Sequence, residues 1–113
     1  MEFSGLVEKA REEFGKANVK KIKDKFAFQF DVTGDGGGTF YVEIKDGVLS
    51  VEPYEYNDRD ARFEVSADTM VKLLDKKLDP VKAFTMGKLK IDGEMSKALE
   101  LNKLLVKTAE KAT

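Results

Sequence analysis

The chain has 113 residues, no Cys, no His, and twenty basic against twenty-one acidic residues, for a formal charge of −1. That length fits one compact domain over residues 1–113 and is too short for two ordinary ones. The missing residue types exclude disulfides, thiolate nucleophiles, zinc–sulfur sites and the commonest general base, and the balanced charge offers nucleic acid no basic stripe.

Residues 3–14, FSGLVEKAREEF, place Phe3, Leu6, Val7, Ala10 and Phe14 at helical spacing with charges between them, and Gly15 is a stop signal. Asn18 then caps a short second turn, VKKIK, that buries Val19 and Ile22. Lys16, Lys20, Lys21, Lys23 and Lys25 fall within ten residues, opposed only by Asp24. Such a run is either a solvated helix face or a transient contact for an anionic membrane surface.

The period then changes from helix to strand. KFAFQFDV alternates Phe26, Phe28, Phe30 and Val32 with Ala27, Gln29 and Asp31, which predicts a strand with one buried face. TFYVEIK, 39–45, does the same with Phe40, Val42 and Ile44. Asp46-Gly47 is a strong hairpin signal, and VLSVE follows as a third strand. PYEYNDRD, 53–60, is turn-rich and polar and predicts a solvated crossover. ARFEVS, 61–66, is a fourth strand with Ala61, Phe63 and Val65 inward.

Between the first two strands, DVTGDGGGTFYVE has the acidic and glycine pattern of a calcium loop. The chelating Glu is needed at position twelve counted from Asp31, where Val42 stands, and helices are needed on both sides. A phosphate loop needs Gly-Lys-Ser/Thr and a strand-to-helix transition, and neither is present. The remaining reading is a hairpin whose glycines supply positive φ. No metal site is expected.

In the second half, 66–78 reads as a helix capped by Ser66 or Asp68 that buries Met70, Val71, Leu73 and Leu74. DPVKAFTMG, 79–87, is a short helix: Asp79 caps, Pro80 takes the first helical position and Gly87 ends it. KLKIDG, 88–93, is a brief strand with Leu89 and Ile91 opposite Lys88 and Lys90. Residues 94–112 form a long last helix with Met95, Ala98, Leu99, Asn102, Leu105, Val106 and Ala109 on its main face, widened by Leu101 and Leu104. Asn102, in the middle of that arc, either bonds a backbone group in a closed core or touches the polar head of a ligand in an apolar cavity.

MGKLKIDGEM followed by ALELNKLL resembles the most characteristic stretch of the sterol carrier protein-2 (SCP-2) family. VKKIKDKFAFQFDV, the strand pair around Asp46-Gly47, and ADTMVKLLDKKLDPVKAF extend the resemblance over about residues 6–105. It implies an α+β fold with a five-stranded, mostly antiparallel sheet covered by helices, in the order α-α-β-β-β-β-α-α-β-α. It also implies binding and transfer of a long-chain lipid (a fatty acid, fatty acyl-CoA, sterol or phospholipid) in an apolar tunnel under the C-terminal helix. On that reading the lining comes from Phe28, Phe40, Phe63, Met70, Leu74, Phe84 and Met86, and from Met95, Leu99, Leu101 and Leu105 on the last helix. In related lipid-bound domains a polar side chain on that helix, often Gln, touches the ligand, and Asn102 occupies the matching place. Ser96 and Lys97 depart from the Gly and apolar residue common there.

Three classes of function follow. The first is a stand-alone lipid carrier, monomer or weak dimer, without a cofactor. The second is an accessory or dimerisation domain serving a lipid-metabolising partner enzyme. The third, an enzyme, has no G-x-S-x-G and no spaced carboxylate pair to support it. The expected localisation is cytoplasmic: no signal peptide or bilayer-length apolar run is read, and the closing EKAT is not a peroxisomal address.

Overall fold

The computed structural model describes residues 2–16, 25–55 and 59–93. The predicted second helical turn, the tip of the crossover and the last helix lie outside the described residues. Helix α1 is Phe3–Gly15, as its apolar spacing and Gly15 predict. Strands β1 (Phe26–Thr33), β2 (Gly38–Lys45) and β3 (Val48–Glu52) follow, then β4 (Ala61–Ser66). Helices α2 (Ala67–Leu74) and α3 (Pro80–Thr85) precede β5 (Leu89–Gly93).

The five strands form one sheet in the order β3-β2-β1-β4-β5. Every neighbouring pair is antiparallel except β1 and β4, which run parallel. The crossover after β3 creates that pair, because the chain returns on the far side of β1. Asp46 and Gly47 join β2 to β3 with φ of 53° and 76°. Positive φ at both central residues is the primed-turn geometry that Asp-Gly favours.

Register fixes two faces. On β1, Phe30 pairs with Phe40 of β2 and Phe63 of β4, while Val65 of β4 pairs with Leu89 of β5. These residues, with Phe28, Val42, Ile44 and Val51, make an apolar face. Leu6, Val7, Ala10 and Phe14 of α1, Met70, Leu73 and Leu74 of α2, and Ala83 of α3 complete that core. Arg11 secures α1 to β3 by donating to the Val51 carbonyl at 2.7 Å.

Three sequence expectations need correction. The strand β1 was expected to bury one face, yet Ala27 and Gln29 are buried as well. The cause is the crossover, which is anchored rather than freely solvated. Asp60 donates its N–H to the Ala27 carbonyl at 2.7 Å and accepts from the Ala27 N–H at 2.9 Å. Arg59 reaches the Gln29 side-chain oxygen at 3.4 Å.

The second correction is the length of α2, which stops at Leu74 instead of 78. Lys76 takes φ of 61°; its N–H donates to Leu73 at 3.2 Å, and that of Lys77 to Lys72 at 2.9 Å. This pair of bonds is a Schellman ending with lysine where glycine is usual. Third, Val71 is half-buried against the core rather than inside it.

The remaining helix signals hold. Ser66 accepts from the Thr69 N–H at 3.2 Å. Asp79 accepts from the Val81 N–H at 2.6 Å and the Lys82 N–H at 3.4 Å. Gly87, at φ of 75°, ends α3, and Lys88 donates back to the Ala83 carbonyl at 2.8 Å.

Candidate functional site

The apolar face of the sheet is built around phenylalanine. Strand alternation aims Phe28, Phe30, Phe40 and Phe63 to the helical side. Phe30 stacks on Phe40 with ring centroids 4.9 Å apart and on Phe63 at 5.0 Å, with interplanar angles of 9° and 17°. Phe28 meets Phe63 edge-on at 5.6 Å. Phe14 of α1 approaches Phe30 at 6.3 Å. Offset or tilted ring pairs of this kind add to the burial of their area.

The structure brings five of the candidate lipid contacts together: Phe28, Phe40, Phe63, Met70 and Leu74 are all fully buried in this core. Phe84 and Met86 take a different place, on the exposed side of α3 and at its exit. Met95, Leu99, Leu101, Asn102 and Leu105 lie outside the described residues, as do Lys20, Lys21 and Lys23. Lys16 pairs with Glu13 at 2.9 Å.

The other face of the sheet is polar and interlocked. Asp31 accepts from Gln29 at 3.0 Å and Thr39 at 3.2 Å on one oxygen, and from Arg62 at 2.9 Å on the other. The residue that would open a calcium loop is therefore committed to the sheet. Between the strands, Gly34 and Gly36 take φ of 86° and 79°, and Gly37 donates to the Gly34 carbonyl at 3.0 Å. Added at Gly37, a Cβ would lie 2.3 Å from the Val32 carbonyl oxygen, so the glycine run is required by the turn. Among the described residues no group of acidic side chains could hold a metal ion.

A separate cleft of about 360 Å³ opens where β1 and β4 end and β5 begins. Thr33, Glu64, Ser66, Thr69, Lys88 and Lys90 line it. None of the candidate lipid contacts does. Sequence reading did not unite these residues, because only the parallel β1–β4 pairing brings Thr33 beside Ser66.

Two ion pairs lock α1 to the end of α2. Lys9 sits 2.5 Å from Asp75, and that hydrogen bond holds its ammonium above the ordinary lysine range. Burial pushes the Glu13 carboxyl up, but hydrogen bonds from Lys76 and Lys16 outweigh burial and hold it below the usual range. Among the described residues no helix is long and apolar enough to cross a membrane.

Comparison with known proteins agrees with this architecture. The model of the SCP-2 sterol transfer family matches residues 3–106. Sterol carrier protein 2 of Oryctolagus cuniculus is 37% identical over 99 residues, covering 87% of this chain and 18% of that protein. Hydroxysteroid dehydrogenase-like protein 2 of Bos taurus is 38% identical over 79 residues, covering 69% of this chain and 19% of the relative. The chain thus spans about a fifth of the length of the curated relatives it matches. The solution structure of palmitated SCP2L2 from Aedes aegypti superposes with a TM-score of 0.72 at 19% identity, covering 93% of this chain and 95% of that one. The sec-alkylsulfatase Pisa1 from Pseudomonas sp. contains the same fold, with a TM-score of 0.67 at 22% identity over 80% of this chain and 14% of that one. With a family model spanning nearly its whole length and a matching five-stranded sheet, the chain belongs to the SCP-2 sterol transfer family.

Proposed function

We propose that the chain is a lipid carrier that holds one long-chain lipid between the phenylalanine face of its sheet and the segment 94–113, and has no catalytic activity of its own. The observation that carries this reading is the family match over residues 3–106. The concentration of aromatic and aliphatic side chains on one sheet face supports it. A palmitated relative with the same fold supports a fatty acyl chain as cargo.

The energetics suit a carrier. Burying an acyl chain gains about 0.8 kcal/mol per methylene, so about fourteen methylenes gain roughly 11 kcal/mol. Immobilising the ligand costs roughly 4 kcal/mol or more. The difference corresponds to micromolar binding, tight enough to extract a lipid and weak enough to release it. In this reading Asn102 orients the polar head, Met95, Leu99, Leu101 and Leu105 cover the chain, and Lys16, Lys20, Lys21, Lys23 and Lys25 approach anionic membranes during delivery.

Displacement of a fluorescent fatty acid by unlabelled fatty acid, acyl-CoA and sterol tests the proposal. Saturable binding in the micromolar range supports it; no saturable binding at tens of micromolar overturns it.

A second reading is favoured by the lengths of the relatives. The matched region is under a fifth of sterol carrier protein 2 and of hydroxysteroid dehydrogenase-like protein 2, so the same domain also occurs as one part of larger proteins. The chain would then be an accessory or dimerisation module for a lipid-metabolising enzyme. Native mass spectrometry of the purified protein separates the two: co-purified lipid on a monomer favours the carrier, and an empty dimer favours the module.

A further inference from the structure

Helix α3 is built inside out. Its inward positions, Pro80 and Ala83, are small and buried. Its outward positions and exit carry Val81, Phe84 and Met86, exposed to 47%, 45% and 56%. Single exposed apolar residues are ordinary, but three bulky ones within six positions form a patch. Among the described residues the other exposed large apolar side chains, Val48 and Tyr54, lie at and beyond the β3 edge, away from this patch in the chain.

The charge around that patch is one-sided. Residues 76–90 hold five lysines and one acidic residue, in a chain whose overall charge is −1. The single acid, Asp79, is turned onto the Val81 and Lys82 N–H groups at the start of α3. Lys76 is paired with Glu13, and Lys90 stands loosely 4.0 Å from Glu64. Lys77, Lys82 and Lys88 are exposed and make no ion pair among the described residues.

We propose that this element, residues 76–90, is a docking surface for an anionic lipid bilayer. Phe84, Met86 and Val81 enter the boundary between headgroups and acyl chains, while Lys77, Lys82 and Lys88 lie alongside at the level of the lipid phosphates. Each lysine near an anionic leaflet contributes to binding, and salt screens the contribution. A protein partner fits less well, since a stable interface covers about 800 Å² on each side and this patch is little more than one helical turn. The surface concerns where the protein meets a membrane, and it stands independently of whether the chain carries a lipid.

The test is co-sedimentation of the purified chain with phosphatidylcholine vesicles, with and without phosphatidylglycerol, at low and high salt. Preference for the anionic vesicles, lost at high salt, is expected. Changing Lys77, Lys82 and Lys88 to Gln weakens binding by about fivefold per lysine at low salt. Val81→Ser with Phe84→Ser weakens it by about tenfold or more. All five positions are exposed, and an unchanged melting temperature confirms the fold of each variant. The lysine variant keeps its affinity for fluorescent fatty acid in the absence of vesicles, so loss of cargo binding and loss of docking are read separately. Three results overturn the proposal. One is equal sedimentation with neutral and anionic vesicles. Another is an anionic preference that survives these changes and disappears with Lys20, Lys21 and Lys23 changed to Gln. The third is a concentration-dependent dimer, seen by analytical ultracentrifugation, that Val81→Ser dissolves.

Discussion

The Lys76 ammonium lies 2.8 Å from the Glu13 carboxylate across a gap of 63 residues in the chain. Lys76 is also the residue that leaves α2 in the left-handed region, where its φ is 61°. A lysine there costs about 1 kcal/mol or more relative to glycine. Glu13 offsets that cost: its carboxylate receives Lys76 and Lys16 together, and the same ammonium reaches the Leu74 carbonyl at 3.2 Å.

Glu13→Gln should therefore destabilise the fold by about 1 to 2 kcal/mol, the worth of hydrogen bonds to a charged group. Lys76→Gly placed in that background should recover about 1 kcal/mol, because only the backbone strain is then removed. Urea midpoints of the wild type and the two variants check both statements. The pH dependence has a definite sign. The Glu13 carboxyl is held below its ordinary value of 4.5, so its contribution is present above that value and is lost as pH falls through the folded-state value. The stability gap between wild type and Glu13→Gln should be full at neutral pH and close in acid.

Asp31 should bind no calcium, because its two oxygens already serve Gln29, Thr39 and Arg62. A ligand bound only by the folded state raises the melting temperature by mass action. Millimolar calcium should leave it unchanged by differential scanning fluorimetry. Asp31→Ala should lower stability by about 1 to 2 kcal/mol, since it leaves the Arg62 guanidinium without its carboxylate partner.

Phe30 is the centre of the stacked trio and is fully buried. Phe30→Ala should cost about 3 to 5 kcal/mol. Against a typical domain stability of about 5 to 15 kcal/mol, that is enough to bring the protein close to unfolding. Thermal melting by circular dichroism measures it. Phe30→Leu, which keeps most of the volume, should melt nearer to the wild type.

Asn102 separates a head-group contact from a packing role. If its amide meets the lipid, Asn102→Leu lowers fatty-acid affinity by about 1 kcal/mol and leaves the melting temperature nearly unchanged. Loss of stability with unchanged affinity removes Asn102 from the site. Both quantities are needed, so displacement titration and thermal melting are run on the same preparation.

Local chemistry made much of this protein legible in the sequence. Period-two alternation marked β1, β2, β4 and β5, and the Asp46-Gly47 turn marked β3 as the strand that follows it. Asp46-Gly47, Ser66, Asp79 with Pro80, and Gly87 marked turns and helix ends, because each acts on its own backbone or within a few residues of it. The family, too, was legible in GKLKIDGEM and the segments before it. What escaped depends on contacts distant in the chain. The early stop of α2 at Leu74 has no signal in the sequence around it, since the carboxylate that receives the Lys76 ammonium stands on α1. The burial of Gln29 follows from a crossover that folds back through Asp60 onto Ala27. The outward placement of Phe84 was equally hidden. Composition draws an aromatic residue toward a core, but α3 packs through Pro80 and Ala83, and only the tertiary arrangement decides which side of so short a helix faces the sheet.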